Sequence, residues 1–232
     1  TELSPDRSGN PALLPELATG FDMAFEKYLP AGGLISIGVF YRQVDDLIRG
    51  VTALQTVSWS TVPRWVSQPV NFSKAQTSGL ELEVKGRAGE LLPAVFDAKL
   101  PLNLRSSFNL YQSRVDALPG PNNRLDGQQP WSGNLGADYR FTTMPLTLGG
   151  SLAFTPGYNT QQSLSQSQDA GRSRSMDLFA QWVFSRTLST RFSVNNLFPL
   201  DSESQTNTAG GYSSNTQRSG RTSVNVGVDI KL

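Results

Sequence analysis

The alternation of apolar and polar residues constrains the fold of this chain more than any other feature. Successive side chains of a β-strand point to opposite faces, so strict alternation predicts a strand with one apolar face and one wet face. The pattern is clearest at the end of the chain, where the apolar face carries Val224, Val226, Val228, Ile230 and Leu232. The same pattern predicts about nine long strands and no helix, at residues 21–25, 35–42, 80–87, 102–110, 131–141, 146–155, 175–184, 188–195 and 221–232.

The connectors between these strands alternate in length. Turn-forming residues fill the short links, whereas the long loops are polar. The short links are 30–33, 142–145 and 185–187, and the long loops are 116–130, 157–171 and 201–220. Short turns on one rim and long loops on the other are typical of outer-membrane β-barrels. The apolar link at 86–99 falls where a short turn is expected, and the pattern does not explain it.

The direction of the strands gives a further expectation. We assume that the last strand ends on the short-turn side. Counting back through the connectors then places the start of the first strand, near Glu16, on the long-loop side. A chain that starts on one side and ends on the other has an odd number of strands. Bacterial single-chain barrels have even strand numbers. Residues 1–232 are therefore expected to be the C-terminal fragment of a larger antiparallel up-and-down transmembrane β-barrel. Its open edges would expose unpaired backbone groups, so the isolated fragment is expected to self-associate.

Composition excludes several function classes. Lys and Arg number 20 and Asp and Glu 19, so the chain lacks the clustered basic excess that binding nucleic acid requires. The chain has neither His nor Cys, so Ser-His-Asp and Cys-His nucleophiles cannot form and the usual zinc and haem ligands are missing. We therefore expect no enzyme activity, no metal site and no cofactor.

A soluble β-sandwich is the main alternative explanation of the alternation, because there the apolar face packs on a second sheet. Three features favour a membrane barrel instead. The strands are longer than usual, aromatic residues such as Trp131 and Trp182 lie toward strand ends, and charged residues such as Arg105 occur in the middle of the polar faces. A water-filled lumen tolerates such charges.

Four segments resemble motifs of one known family. They are Asn-Pro-Ala-Leu-Leu-Pro-Glu at 10–16, Gly-Val-Phe-Tyr-Arg-Gln-Val-Asp-Asp-Leu-Ile at 38–48, Gly-Leu-Glu-Leu-Glu at 79–83 and Asn-Asn-Leu-Phe at 195–198. Their order and spacing are similar to those in the C-terminal barrel of TonB-dependent receptors. The end of the chain, from Asn225 to Leu232, also resembles the terminal strand signal of outer-membrane barrels, although Leu232 stands where an aromatic residue is usual.

The resemblance implies an outer-membrane location and energised uptake of a scarce ligand of the ferric siderophore, haem or cobalamin class. It also implies four partners: membrane lipid, the N-terminal strands of the parent protein, a plug domain absent from residues 1–232, and an energy-coupling protein that acts through that plug. An outer-membrane adhesin or structural barrel, or a soluble β-sandwich binding module, remains the alternative.

Few residues stand out as candidates for ligand contact. Tyr212 and Arg218 lie in the last long loop, and loops on rigid scaffolds carry recognition. Asp45 and Asp46 are expected near the extracellular end of a strand, where a hard cation could bind, although a solvated loop fits them better. Glu81 and Glu83 share one strand face, but together with Lys85 and Arg87 they are expected to form salt bridges in the lumen.

Overall fold

The computed structural model describes residues 1–231, which form fourteen strands and one short helix. Leu232, predicted on the apolar face of the last strand, lies outside the described residues. The elements are β1 Asp6–Arg7, β2 Leu17–Tyr28, β3 Leu34–Gln55, β4 Arg64–Arg87, α1 Ala88–Leu91, β5 Leu102–Val115, β6 Trp131–Arg140, β7 Leu146–Thr155, β8 Tyr158–Gln161, β9 Gln166–Ala170, β10 Ser173–Val183, β11 Leu188–Asn195, β12 Ser202–Thr208, β13 Ser213–Arg218 and β14 Ser223–Ile230.

Nine of these strands form one antiparallel sheet. In the order β2-β3-β4-β5-β6-β7-β10-β11-β14, each strand pairs with the next, and β1 adds to β4 in parallel. Strands β2 and β14 do not pair with each other among the described residues, so the sheet is a partial barrel. The predicted count of about nine up-and-down strands is confirmed, and β2 begins at the long-loop rim as the strand parity requires.

Strands β3 and β4 are much longer than the alternation indicated. They have 22 and 24 residues, whereas crossing a membrane takes only about 9–11 residues. A β-bulge at Asp45 and Asp46, where Asp46 has φ of 55°, interrupts the pairing of β3 with β4. The halves beyond this bulge project above the membrane. Loops cover one face there, where Leu47 and the polar Arg49 are both buried. Apolar and polar residues therefore do not separate by face, and the sequence pattern gave no signal.

Two of the predicted long loops are folded into hairpins. Strands β8 and β9 form one, strands β12 and β13 form the other, and β9 pairs with β12. The result is a second, four-stranded sheet above the long-loop rim. Its strands consist mostly of Ser, Thr, Asn and Gln, so periodicity in hydrophobicity could not reveal them. The prediction placed long polar loops at 157–171 and 201–220, and it did not include this second sheet.

The apolar link between β4 and β5 contains the one helical turn of the described residues, α1. The helix packs against β4 and β5, and the carboxylate of Glu90 accepts a hydrogen bond of 2.7 Å from the backbone N–H of Ala31 in the neighbouring turn. The all-β prediction is confirmed, and this single helical turn is an addition that the alternation did not indicate. Among residues 1–231, no helix has the length and apolar character needed to cross a membrane.

The apolar face of the main sheet is uncovered. Apart from α1 at the short-turn rim, no element of residues 1–231 packs on it. The sandwich alternative required a second layer there, and the four-stranded sheet is built from loop hairpins instead. The large exposed side chains on this face include Phe21, Met23, Phe25, Ile37, Leu110, Leu135, Leu148, Leu178, Phe192, Val226, Val228 and Ile230.

Aromatic residues border this apolar face at both rims. At the long-loop rim, the ring of Trp131 lies 5.7 Å from that of Phe108 and 5.2 Å from that of Phe154. At the short-turn rim the pairs are Tyr139 with Phe141 at 4.9 Å and Trp182 with Phe184 at 6.5 Å. Trp131 and Tyr139 are separated by about 26 Å of strand. At a strand tilt of about 35–45° this corresponds to about 18–21 Å of height, somewhat less than the apolar band of about 25 Å in outer-membrane barrels. The predicted girdles are present.

Candidate functional site

The polar face of the sheet carries charged pairs that link neighbouring strands. Arg42 of β3 contacts Asp22 of β2 at 3.0 Å, and Arg105 of β5 contacts Asp138 of β6 at 3.1 Å. Each of these side chains keeps contact with solvent, as expected for groups lining a wet interior. Because exposed pairs are worth only about 0–1 kcal/mol each, they mark a polar wall rather than a source of stability.

The loop at 116–130, here called the inner loop, folds back onto this polar face. It begins after β5, and its contacts are with the face that carries Arg105. Gln128 donates a hydrogen bond of 2.9 Å to the hydroxyl of Thr77, and the N–H of Leu125 donates one of 2.9 Å to the hydroxyl of Ser113. Thr77 and Ser113 are register partners on β4 and β5. The inner loop therefore narrows the space that the sheet encloses.

A small hydrophobic cluster holds the inner loop in place. Val115 has no exposed surface, and it packs with Leu118 of the loop and with apolar residues of β3 and β4. The other members are Val44, Leu47 and Ala75, with Phe72 and Leu125 at the edge. Each fully buried aliphatic side chain contributes about 1.5–3 kcal/mol. The only hydrophobic cluster found within residues 1–231 thus lies at the long-loop rim, between the loop and the barrel wall.

Arg49 joins three segments at the same rim. Its side chain is 5% exposed, and its guanidinium contacts the carboxylate of Asp126 at 2.5 Å. It also donates to the carbonyl of Arg124 at 3.3 Å and to that of Gln162 at 3.1 Å. Asp126 and Arg124 belong to the inner loop, and Gln162 to the β8–β9 hairpin. Strand β3 is thereby tied to two loops through one side chain.

Burial and charge oppose one another in this ion pair. Desolvation lowers the pKa of Arg49, and the carboxylate of Asp126 opposes that shift. Desolvation likewise raises the pKa of Asp126, although the positive charge of Arg49 and its hydrogen bond act to lower that pKa. The guanidinium remains charged because arginine does not lose its proton in proteins. The pair therefore works as a positioned clamp between β3 and the loops.

Backbone hydrogen bonds extend the assembly to the other loops. The N–H of Gln161 in the β8–β9 hairpin donates to the carbonyl of Asn122 in the inner loop at 2.7 Å, and the N–H of Ala209 in the β12–β13 hairpin donates to the carbonyl of Ser165 at 2.7 Å. The hydroxyl of Ser165 also donates to the carboxylate of Glu2 at 2.8 Å. Three loops and the N-terminal segment form one connected mouth above the polar wall.

The segment at 10–16 follows the extension of β4. Asn10 donates a hydrogen bond of 3.0 Å to the carbonyl of Pro69. The side chain of Asn71 accepts a hydrogen bond of 2.8 Å from the N–H of Leu14 and donates one of 2.9 Å to the carbonyl of Leu14. Glu16 accepts a hydrogen bond of 2.8 Å from the N–H of Ile48, just after the bulge. These contacts give the Asn and Glu of the motif a structural role in leading the chain into β2.

The segment at 195–198 forms the turn that ends β11. Asn196 has φ of 54°, a conformation that asparagine tolerates better than most residues. Its N–H donates to the carboxylate of Asp177 at 2.8 Å, and its side chain donates to the carbonyl of Arg221 at 3.2 Å. This motif therefore positions the base of the β12–β13 hairpin.

The structure separates the four candidate ligand contacts into two places. Tyr212 is exposed at the tip of the β12–β13 hairpin, and Arg218 is exposed at its base, opposite Ser202. Asp45 and Asp46 form the bulge of β3, where the carboxylate of Asp45 contacts the ammonium group of Lys74 at 2.8 Å. No hydrogen bond or ion pair of the described residues joins the two places.

The paired carboxylates Glu81 and Glu83 lie on the polar face of β4. Glu83 contacts Lys85 at 3.0 Å, which is the type of ion pair expected for them. Arg87, which was expected to join them, forms no ion pair with any of residues 1–231. Within residues 1–231, no group of three or more Asp, Glu, His or Cys residues could hold a metal ion.

Sequence reasoning missed Arg49 and the inner loop. A single arginine in a polar stretch carries no periodic signal, and its partner Asp126 is 77 residues away. The cluster around Val115 was missed because its apolar residues lie on the face that alternation assigned to water. Both features arise from a loop that folds inward, and only the contacts of that loop reveal it.

An open antiparallel sheet with an uncovered apolar face, aromatic borders and a polar wall defines the class of outer-membrane β-barrels. Comparison with known families agrees. Residues 2–197 match the family described as "TonB dependent receptor-like, beta-barrel". The chain therefore belongs to the TonB-dependent receptor β-barrel family, and it is an outer-membrane protein. A search among curated protein sequences gave no match.

Solved structures of the same fold cover nearly the whole chain. The copper transporter OprC superimposes with a TM-score of 0.68 at 14% identity, over 99% of this chain and 34% of its own. The FrpB iron transporter from Neisseria meningitidis gives 0.64 at 18%, over 97% and 32%. The pyoverdine receptor FpvA from Pseudomonas aeruginosa gives 0.63 at 16%, over 100% and 32%. The chain thus spans about a third of the length of these proteins.

Proposed function

We propose that this chain is the C-terminal part of the barrel of a receptor that takes up a scarce ligand through the outer membrane. The observation that carries the proposal is the connected mouth formed by the inner loop and the two hairpins around Arg49. A mouth fixed to a rigid scaffold can present a constant binding surface. The polar wall beneath it offers a wet path, while the apolar face meets lipid.

The proposed ligand is of the ferric siderophore, haem or cobalamin class. The related solved structures include proteins named as an iron transporter, a copper transporter and a pyoverdine receptor, which supports a metal or a metal chelate as cargo. Tyr212 and Arg218 are the proposed contacts, since an exposed aromatic ring and a guanidinium suit an anionic aromatic chelate. Asp45 and Asp46 are weaker candidates, because Lys74 already neutralises Asp45.

The proposed partners follow from the partial barrel. The free edges of β2 and β14 require further strands of the parent protein, and a plug domain in that protein would fill the polar interior. An energy-coupling protein would act through the plug. Nearly balanced charge argues against a nucleic-acid partner, and we propose a binding and transport role without enzyme activity.

The test is uptake by the full-length protein. Cells lacking the gene are starved of iron or copper and offered a panel of ferric siderophores, haem, cobalamin and copper salts. Loss of one uptake activity, restored by the gene and abolished by a protonophore, supports the proposal. Normal uptake of every ligand in the deletion strain would overturn it, and loss of surface attachment instead would favour an adhesin.

Loop variants sharpen the result. Tyr212→Ala is expected to raise the half-saturating ligand concentration about tenfold, as for an aromatic anchor at a binding surface. Ser214→Ala, in the same hairpin and also solvent-exposed, is the matched control and should leave uptake unchanged. Equal uptake by both variants would remove Tyr212 from the proposed contacts.

A further inference from the structure

The apolar face contains a groove of about 610 Å³ near the short-turn rim. Its floor follows from the sequence, because Ala137 of β6 and Gly150 of β7 are register partners on the membrane side. Leu104 and Leu178 flank them in the same row. Two small residues between two large ones leave a trough across the sheet.

The link between β4 and β5 completes the groove. Leu91 and Leu92 line it together with the membrane-facing side chains, and Leu92 is half-exposed. Val95, further along the same link, is 70% exposed. An apolar link of this kind is costly in water. Because the link lies beside the uncovered apolar face, its apolar side chains can contact lipid instead of water.

The groove lies at a defined depth in the membrane. Tyr139 follows Ala137 by two residues on the same face, so the floor lies about 7 Å along the strand from the aromatic border. At a strand tilt of about 35–45° this is about 5–6 Å of depth in the membrane. This is the hydrocarbon region of the periplasmic leaflet, since short turns face the periplasm in outer-membrane barrels. Lys99, exposed at the end of the link, offers an ammonium group on the headgroup side.

We propose that this groove binds one acyl chain of a glycerophospholipid from the periplasmic leaflet, and that the link at 88–100 is an interfacial anchor inserted beside it. Three observations support this occupant. The groove is continuous with the membrane-facing surface, its lining is predominantly aliphatic, and its volume falls within the range of about 300–1,000 Å³ that small-molecule sites occupy.

Native mass spectrometry of the full-length protein in mild detergent tests the proposal. The wild type should retain one glycerophospholipid per barrel. Ala137→Phe fills the floor, and the lipid-bound fraction should fall about tenfold or more, because several buried methylene groups lose their contacts. Ala180→Phe is the matched control: the same exchange on the same face, outside the groove, should keep the lipid.

A second variant guards against misfolding. Leu92→Asp changes a residue of the exposed link and leaves the sequence of every strand unchanged. It should also release the lipid. Heat-modifiable gel mobility reports whether each variant remains a folded barrel. Retention of lipid by Ala137→Phe and Leu92→Asp would overturn the proposal. The proposal would also be overturned if detergent were the only molecule bound to the wild type. It would likewise be overturned if the wild type were a dimer that Ala137→Phe converts to a monomer.

Discussion

Arg49 of β3 and Asp126 of the inner loop are 77 residues apart in the chain, and their side chains meet at 2.5 Å beneath the loops of the mouth. Arg49→Met should leave the carboxylate and two carbonyls without this donor and loosen the inner loop by about 1–3 kcal/mol. Hydrogen exchange in the full-length protein measures the effect. Amides near Asn122 and Gln161 should exchange faster, and those of β6 and β7 should not change.

Arg64→Met is the control for Arg49→Met. Arg64 lies in the part of β4 beyond the bulge and forms an ion pair with Asp6, and its side chain is half-exposed to solvent. An exposed pair contributes about 0–1 kcal/mol, so this variant should leave the inner loop unchanged. If both variants alter exchange in the inner loop equally, Arg49 has no special role.

The cluster around Val115 should be the main support of the inner loop. Val115→Ala removes about two methylene equivalents from a fully buried site, which should cost about 1–3 kcal/mol. Proteolysis of residues 116–130 in folded protein should accelerate accordingly. Val226→Ala, on the exposed membrane side, should have little effect because lipid refills the space. Unchanged proteolysis of Val115→Ala would contradict the proposed anchoring.

The two faces of the sheet should respond oppositely to charge. Phe192→Arg places a charge toward lipid near the middle of β11, and should destabilise the barrel in bilayers by about 2–4 kcal/mol. Ser193→Arg places the same charge on the polar face and should be nearly neutral. Denaturant titration of full-length protein in vesicles measures both. Equal destabilisation would show that the apolar rows do not face lipid.

Acid should weaken the attachment of β1 to β4. The hydrogen bond from Arg64 holds the pKa of Asp6 below its usual value of 3.8, so the pair contributes fully above that pH. The contribution is lost as the pH falls through the lowered pKa. The protection factors of amides at 6–8 against hydrogen exchange, corrected for the intrinsic exchange rate at each pH, should fall from pH 6 to acid below the lowered pKa of Asp6. In Arg64→Met this acid-dependent difference should disappear.

Residues 1–232 expressed alone should self-associate. The outer edges of β2 and β14 carry unpaired backbone groups among the described residues, and such edges pair with other chains when no partner strand covers them. Light scattering in detergent should show oligomers of this piece, whereas the full-length barrel should be monomeric. A monodisperse monomer of 1–232 would contradict the expectation.

The membrane-spanning strands were predictable because lipid and water act on alternate residues of one strand. That rule identified all nine strands of the main sheet, including β14 and its row of Val224, Val226 and Val228. The same rule failed beyond the bulge at Asp45 and Asp46, where loops cover one face and bury the polar Arg49. It failed again in β12 and β13, whose polar residues are ordered by backbone pairing.

The sequence by itself determined the barrel wall: its strands, their direction, the face toward lipid and the odd strand count. The strands and their lipid-facing side depend on local periodicity, which a single strand displays without its neighbours. Their direction and odd count depend on the alternation of short and long connectors along the chain. Only the tertiary structure decided where the inner loop lies, which loops Arg49 joins and how Leu91 and Leu92 close a groove with Ala137 and Gly150. These contacts join residues far apart in the chain, and no local pattern encodes such distances.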